Sequence, residues 1–307
     1  MQKEYDVVTP FDICVDFLMD LGRSIPEFGQ KEKLVNGYSL EMGGSACIFA
    51  SGASKLGLKA TGAGYAGNDA MGDLVISTLE ETGVSTSYIR RGDSKTALTL
   101  CLTKPCGDRS ILTYMGKMDT VQGEWIDELL SRTRHLHICS YYLLGSLQSV
   151  YPVLLKKAKE QGVSISLDTN WDPDEIWDGG IREILQYVDI FLPNEQELIS
   201  ISGKKTIDAA LKHINRHVPL IAVKCGQWGA YSFQRGIVTR AEGITKNVCD
   251  TVGAGDNFNA GFIFAYLKGL SVHDCIKAGV FCGSESVASP GGTKGQAKFD
   301  ELMKYLA

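Results

Sequence analysis

Short apolar, β-branched runs alternate with helical segments over the C-terminal two-thirds of the chain. Val163–Leu167, Val188–Leu192 and Leu220–Val223 read as strands. Tyr151–Gln161, Gly180–Tyr187, Glu195–Ser202 and Ile207–Arg216 read as the helices around them. Repeated strand–helix–strand units with short connections predict an α/β fold, a mostly parallel central sheet sandwiched by helices. Such sheets bind ligands beyond the carboxyl ends of their strands. The first 120 residues pattern differently: Ile13–Met19, Leu34–Glu41, Thr96–Thr103 and Ser110–Met115 alternate as paired strands do, split by a helical stretch over 45–82. They predict a small β lid formed by segments near 13–42 and 96–115. No linker rich in Pro, Ser or Gly separates the parts, so one domain over 1–307 is expected.

Composition narrows the class. Of 307 residues 44% are hydrophobic and 22% charged, a globular profile. The net charge of −5 and the lack of a basic run argue against bulk binding of nucleic acid or an anionic membrane, while leaving a local phosphate pocket open. No apolar stretch reaches the roughly 18 residues that span a bilayer, and the start lacks the apolar core of a secretory leader. Nine cysteines form no Cys-x-x-Cys pair and read as reduced, mostly buried small hydrophobes, so a cytoplasmic protein is expected.

The strongest chemical signal is Asp250-Thr-Val-Gly-Ala-Gly-Asp-Asn-Phe-Asn-Ala-Gly-Phe262. It follows a strand-like Asn247–Cys249 and opens an apolar helix, Phe258–Leu267, closed by Lys268 and Gly269. Gly253-Ala254-Gly255 therefore sits at a helix N-terminus, where free N–H groups and the dipole favour an anion. Asp256 in the first turn would repel a phosphate as a ligand. It suits a base that takes the proton of a hydroxyl attacking a phosphoryl group. The alternative is an Asp that only stabilises its own helix start.

With its companions this run resembles the ribokinase-like (phosphofructokinase-B type) carbohydrate kinase family, over nearly the full length and in matching order. Asp250–Asp256 is similar to the C-terminal signature, and Gly43-Gly44 before a helix to the N-terminal glycine pair. Gly64-Tyr-Ala-Gly67-Asn-Asp69-Ala-Met-Gly72 looks like the segment that follows. Asn194-Glu-Gln-Glu197 matches the Asn-x-x-Glu motif, and Lys224-Cys-Gly226-Gln-Trp-Gly229 the glycine-bearing nucleotide strand.

The resemblance implies roles. Asp256 would be the catalytic base, and the amides of Gly253, Ala254 and Gly255 the anion hole. Asn194 and Glu197 would organise Mg²⁺ and the phosphates of ATP through water, although Asn and Glu at that spacing also make an ordinary capping box. Lys224 would touch a phosphate or face solvent, and Gly226 and Gly229 would let the adenine side approach the backbone. Asp250 and Val252, with backbone near Ser289–Gly292, fall where relatives hold a monovalent cation, which brings in K⁺. Asp16 aligns with the sugar-binding Asp, with Gly43 and Gly44 offering N–H groups at a helix capped by Ser45. Dimerisation through the lid strands is a family-level expectation, since unpaired strand edges invite pairing.

Three departures bear on the acceptor. The family commonly has Gly where this chain has Phe11, a sugar-contacting Asn where it has Ile48, and in ribose-specific members a polar residue at Cys14. Ile48 can neither donate nor accept a hydrogen bond, so a ribose site would be left unsatisfied. A differently hydroxylated sugar, a sugar derivative or a nucleoside stay open, as does a catalytically silent sugar- or nucleotide-sensing protein. Tyr141 and Tyr142 could line the cleft or belong to the core. Gly62-Ala-Gly64-Tyr-Ala-Gly67 formally matches a dinucleotide fingerprint, but Val84–Arg91, where the acidic partner should stand, is basic, and an oxidoreductase is rejected. His213 and His217 read as a solvated helix face, His135 and His137 as one side of a strand, and Cys101 and Cys106 as free thiols.

Overall fold

The computed structural model describes residues 3–106 and 108–307. The first half carries β1 (Tyr5–Pro10), β2 (Cys14–Asp20), β3 (Gly37–Met42), α1 (Ser45–Lys55), β4 (Ala60–Gly67), α2 (Ala70–Glu81), β5 (Ile89–Gly92), β6 (Ala97–Thr103), β7 (Arg109–Tyr114), α3 (Gly123–Leu130) and β8 (Thr133–Ile138). There follow α4 (Gly145–Gln148), α5 (Tyr151–Glu160), β9 (Ser164–Leu167), α6 (Ile181–Ile184), β10 (Ile190–Phe191), α7 (Glu195–Ser202), α8 (Ile207–Ile214) and β11 (Leu220–Lys224). The chain ends with β12 (Ala230–Gln234), β13 (Ile237–Ala241), α9 (Ala254–Leu267), α10 (Val272–Ser286) and α11 (Phe299–Leu306).

Nine strands form the large sheet in the order β13-β12-β11-β10-β9-β8-β1-β4-β5, and four form the small one, β3-β2-β6-β7. From β11 to β5 the large sheet is parallel, and β12 and β13 extend it antiparallel. The parallel strands are buried on both faces, as the apolar runs of β10 and β11 require. Two apolar cores flank the sheet, one including α1, α9 and α10, the other α3, α5, α7 and α8. Among the described residues no helix is long and apolar enough to cross a membrane.

The structure corrects the expected helical stretch over 45–82. It is α1, then strand β4, then α2. Small residues hid the strand, and packing explains them. A Cβ on Gly62 would lie 2.3 Å from the Thr9 carbonyl and 2.7 Å from the Phe11 ring, and one on Gly64 would lie 2.8 Å from Phe11. Phe11, fully buried, thus fills the room that two glycines leave. The formal Gly-x-Gly-x-x-Gly runs along a strand and forms no phosphate turn. Asn247–Cys249, expected as a strand, has no partner strand among the described residues; Cys249 N–H donates to Val287 O.

Polar rungs join β8 to β9. His135 lies between Ser164 and Ser166, with each ring nitrogen 2.7 Å from one hydroxyl, and His137 Nδ1 is 2.6 Å from Ser166 Oγ. Burial holds both imidazoles neutral, with His137 lowered to about 3.

Candidate active site

α9 begins on a left-handed residue, Gly253, with φ 72°. A Cβ there would lie 2.7 Å from Gly292 Cα, so glycine lets two loops close on one another. The amides of Gly253, Gly255 and Asp256 have no acceptor among the described residues. The ring expected from residues 253–255 is amended at one position, because Ala254 N–H leans on Thr251 O at 3.3 Å. Asp256 is 7% exposed and borders a cavity of about 230 Å³ under the small sheet. Burial, reinforced by Asp168, pushes its carboxyl well above the usual carboxylate range, against the pull of Lys224 and a hydrogen bond with Ser45.

The small sheet turns alternate residues inward, and Cys14, Asp16, Thr99, Cys101, Arg109 and Ile111 line this cavity. The Asp16 carboxylate accepts no hydrogen bond within the described chain. Burial, with Asp12 and Asp250 nearby, pushes it up to about 7. Gly43 makes room for it, since a Cβ would lie 2.3 Å from Asp16 Oδ1. The Gly43 amide, expected to be free, donates to Cys14 O at 2.9 Å. Nor is Ser45 the cap of α1. Gly44 holds that position, and Asp12 accepts the amides of Ser45 and Ala46, each at 2.9 Å, as well as the Ser140 hydroxyl.

The sequence alone does not point to Asp12, Ser140 or Asn170. Ser140 and Asn170 both have positive φ, 50° and 55°, and Asn170 Nδ2 donates to the hydroxyls of Ser45 and Ser140. Strained residues of this kind gather at functional sites. Both follow the carboxyl ends of parallel strands, the one signal that could have flagged them. Tyr141 is fully buried, donating to Gly179 O, and neither it nor Tyr142 borders the cavity.

A second cavity, about 680 Å³, lies on the other side of the α9 start. Lys224, Gly226, Gly229, Ala254 and Gly255 line it, with apolar walls from Ile244, Phe258 and Val280. The two cavities meet at residues 253–256: Gly253 and Asp256 face the smaller, Ala254 and Gly255 the larger. Gly226 and Gly229 have φ of 54° and 89°, and a Cβ on Gly229 would strike Ala241 O at 2.2 Å. Lys224 does not face solvent; its side chain is 14% exposed and paired with Asp168.

Asn194 and Glu197 form the capping box of α7, and Asn194 bridges Lys224. Both Glu197 carboxylate oxygens accept from Asn194. Burial, despite Lys224, pushes that carboxyl up to about 7. Asp168, Glu197 and Asp256 thus set three carboxylates around one ammonium. Oxygen donors of this kind, with Asn194 and Glu197 at the edge of the group, fit a hard cation that keeps its own waters. Among the described residues no three His, Cys, Asp or Glu side chains group to hold a metal directly. Asp250 ties two loops together, accepting Val252 N–H and Gly291 N–H, each at 3.0 Å, while Arg109 approaches it at 3.6 Å.

The profile of the pfkB family carbohydrate kinases matches residues 10–298. An uncharacterized sugar kinase of Archaeoglobus fulgidus is 30% identical over 245 residues, covering 80% of this chain and 97% of its own. Among solved structures, a ribokinase of Arabidopsis thaliana complexed with ribose and ATP aligns with a TM-score of 0.82 at 23% identity, over all of this chain and 99% of that one. An adenosine kinase of Sinorhizobium meliloti aligns with a TM-score of 0.83 at 22% identity, over 99% of this chain and all of its own.

Proposed function

Because the chain belongs to the pfkB family, and is thereby an ATP-dependent carbohydrate kinase, we propose that it transfers the γ-phosphoryl group of ATP to the primary alcohol of a small sugar or sugar derivative. One observation carries the reading: two cavities meet at a helix start whose free amides lie beside a buried carboxylate. The smaller holds the acceptor. At about 230 Å³ it falls below the roughly 300–1,000 Å³ of sites for drug-sized ligands, which favours a sugar over a nucleoside. The larger takes the nucleotide.

In this mechanism Asp16 accepts hydrogen bonds from the acceptor's hydroxyls and orients the ring. Asp256 takes the proton of the attacking hydroxyl as its oxygen bonds to the γ-phosphorus and the bond to ADP breaks. The amides of Gly253, Gly255 and Asp256 stabilise the charge on the transferring group. Asn194 and Glu197 would hold Mg²⁺ through water, and the ion would neutralise phosphate charge when bound. The small sheet closes over the acceptor and excludes water, a competing nucleophile. Turnover in K⁺ against Na⁺ tests the monovalent site at Asp250 and Val252, whose carboxylate already faces Arg109.

ADP release measured against a panel of sugars, sugar derivatives and nucleosides tests the acceptor class. Turnover confined to sugars and their derivatives is expected; turnover confined to nucleosides would replace this reading. With the best acceptor, Asp16→Asn should raise KM by about 10–100-fold, the worth of a charge-assisted hydrogen bond or two. An unchanged KM removes Asp16 from the acceptor site.

We also propose a homodimer, formed by the outer face of the small sheet and not by its edge. Residues alternating with the cavity lining give a continuous apolar surface, including Phe17, Tyr38, Leu40, Leu100, Leu112 and Tyr114. Tyr38, Leu112 and Tyr114 are more than half exposed. Light scattering should find a dimer for the native chain and a monomer for Leu112→Glu; a monomeric native chain at micromolar concentration overturns this. With two exposed free thiols, Cys106 and Cys249, a reducing cytoplasm suits the chain.

A further inference from the structure

Lys224 ends β11 with its ammonium turned inward, 2.5 Å from Asp168 Oδ2. The same oxygen accepts Asn259 Nδ2–H from α9. Asp168 is 1% exposed and lies one residue past β9, so its carboxylate gathers a cation from a neighbouring part of the sheet and an amide from the helix that carries the anion loop. On its other side, Lys224 Nζ stands 3.4 Å from where a Cβ of Gly255 would be. The ammonium thus stands at ordinary contact distance beside the first turn of α9, where the free amides lie. Lys224 and Gly255 border the larger cavity together.

Stability alone gives little reason for this arrangement. A buried ion pair loses its hydration, and apolar residues of similar volume serve the fold as well or better. What the pair does supply is a fixed place for one positive charge. A lysine is a compact charge on a flexible stem, so without an anchor its head would wander through the cavity. Asn259 tightens the anchor by holding the carboxylate from the helix side.

We infer that Asp168, assisted by Asn259, is a positioning residue that stations Lys224 against the terminal phosphoryl group of the bound nucleotide. The identity of that ligand rests on the kinase reading above. The γ-phosphate enters beside the amides of residues 253–256, and the ammonium meets it there already oriented. ADP, which lacks that group, gains nothing from the station.

Calorimetric titration of the full chain with ATP and with ADP, each with Mg²⁺, tests this without requiring turnover. Asp168→Asn and Lys224→Gln should each weaken ATP about tenfold or more, the worth of one charge-assisted hydrogen bond, and leave ADP within about twofold. The double variant should bind ATP no more weakly than Lys224→Gln, because Asp168 acts through Lys224. Asp168→Glu retains the charge but displaces the anchor by one methylene, and with its thermal midpoint checked alongside it too should weaken ATP alone. Parallel losses of ATP and ADP, or losses that multiply in the double variant, would show a merely structural pair and overturn the inference. The kinase reading is judged separately, by whether the native chain turns over any acceptor in the ADP-release panel.

Discussion

Asp256→Asn should lower kcat by about 10²–10⁴-fold, the usual worth of a positioned general base, while ATP affinity stays within about twofold. The amide keeps the shape of the carboxylate but cannot take the proton. ADP release with the best acceptor gives the first quantity and calorimetry the second; a variant that keeps its rate removes Asp256 from the chemistry. The raised pKa adds two signed expectations. The base works only when deprotonated, so kcat/KM for the native chain should fall as pH drops through a value above the ordinary carboxylate range. For stability, the folded state holds this proton in a window where the unfolded chain has released it. Stability therefore declines as pH rises from the unfolded pKa to the folded one. Asp256→Asn escapes that loss, and its thermal midpoint at neutral pH should rise, the familiar exchange of stability for function.

The second large effect is expected at Gly253. Alanine there must adopt φ near 72° and place its Cβ 2.7 Å from Gly292 Cα, so the loop has to shift. The amides that face the transferring group move with it. Loss of such donors typically lowers kcat by about 10²–10³-fold. Gly269→Ala is the control. Its φ is 74°, but a Cβ would meet nothing within 4 Å. It should lose about 1 kcal/mol of stability from the left-handed backbone and retain kcat. Equal kcat losses in both variants would assign the effect to general destabilisation and not to the amides.

How much of this was legible in the sequence follows from where the partners lie along the chain. The α9 start could be read because Asp250–Asp256 is contiguous and a helix N-terminus has a known polarity. Asn194 and Glu197 could be read for the same reason, three residues apart on one turn. The strands of the small sheet alternate apolar and polar residues and were found to within three residues at either end. β4 was not found. Its glycines answer to Phe11, the residue just past the adjoining strand β1, a constraint that no local pattern carries. Asp12 gives no local signal because the helix whose first amides it accepts begins 33 residues later. The pairing of Asp168 with Lys224 spans 56 residues, and Asn259 joins it from 91 away, so only the folded chain discloses that three polar side chains share one place.

The His–Ser rungs between β8 and β9 carry a consequence for assembly. A parallel strand buried on both faces gains little information about register from hydrophobicity, since apolar side chains suit either side. Sliding β9 by one residue would exchange Ser164 and Ser166 for Ile165 and Leu167 opposite His135 and His137. Two imidazoles would then lose their hydroxyls in an interior where unmade hydrogen bonds are costly. Misaligned pairings of these two strands are thereby penalised relative to the native one. Correct alignment delivers Asp168 and Asn170, at the exit of β9, to Asn259 of α9 and Ser45 of α1.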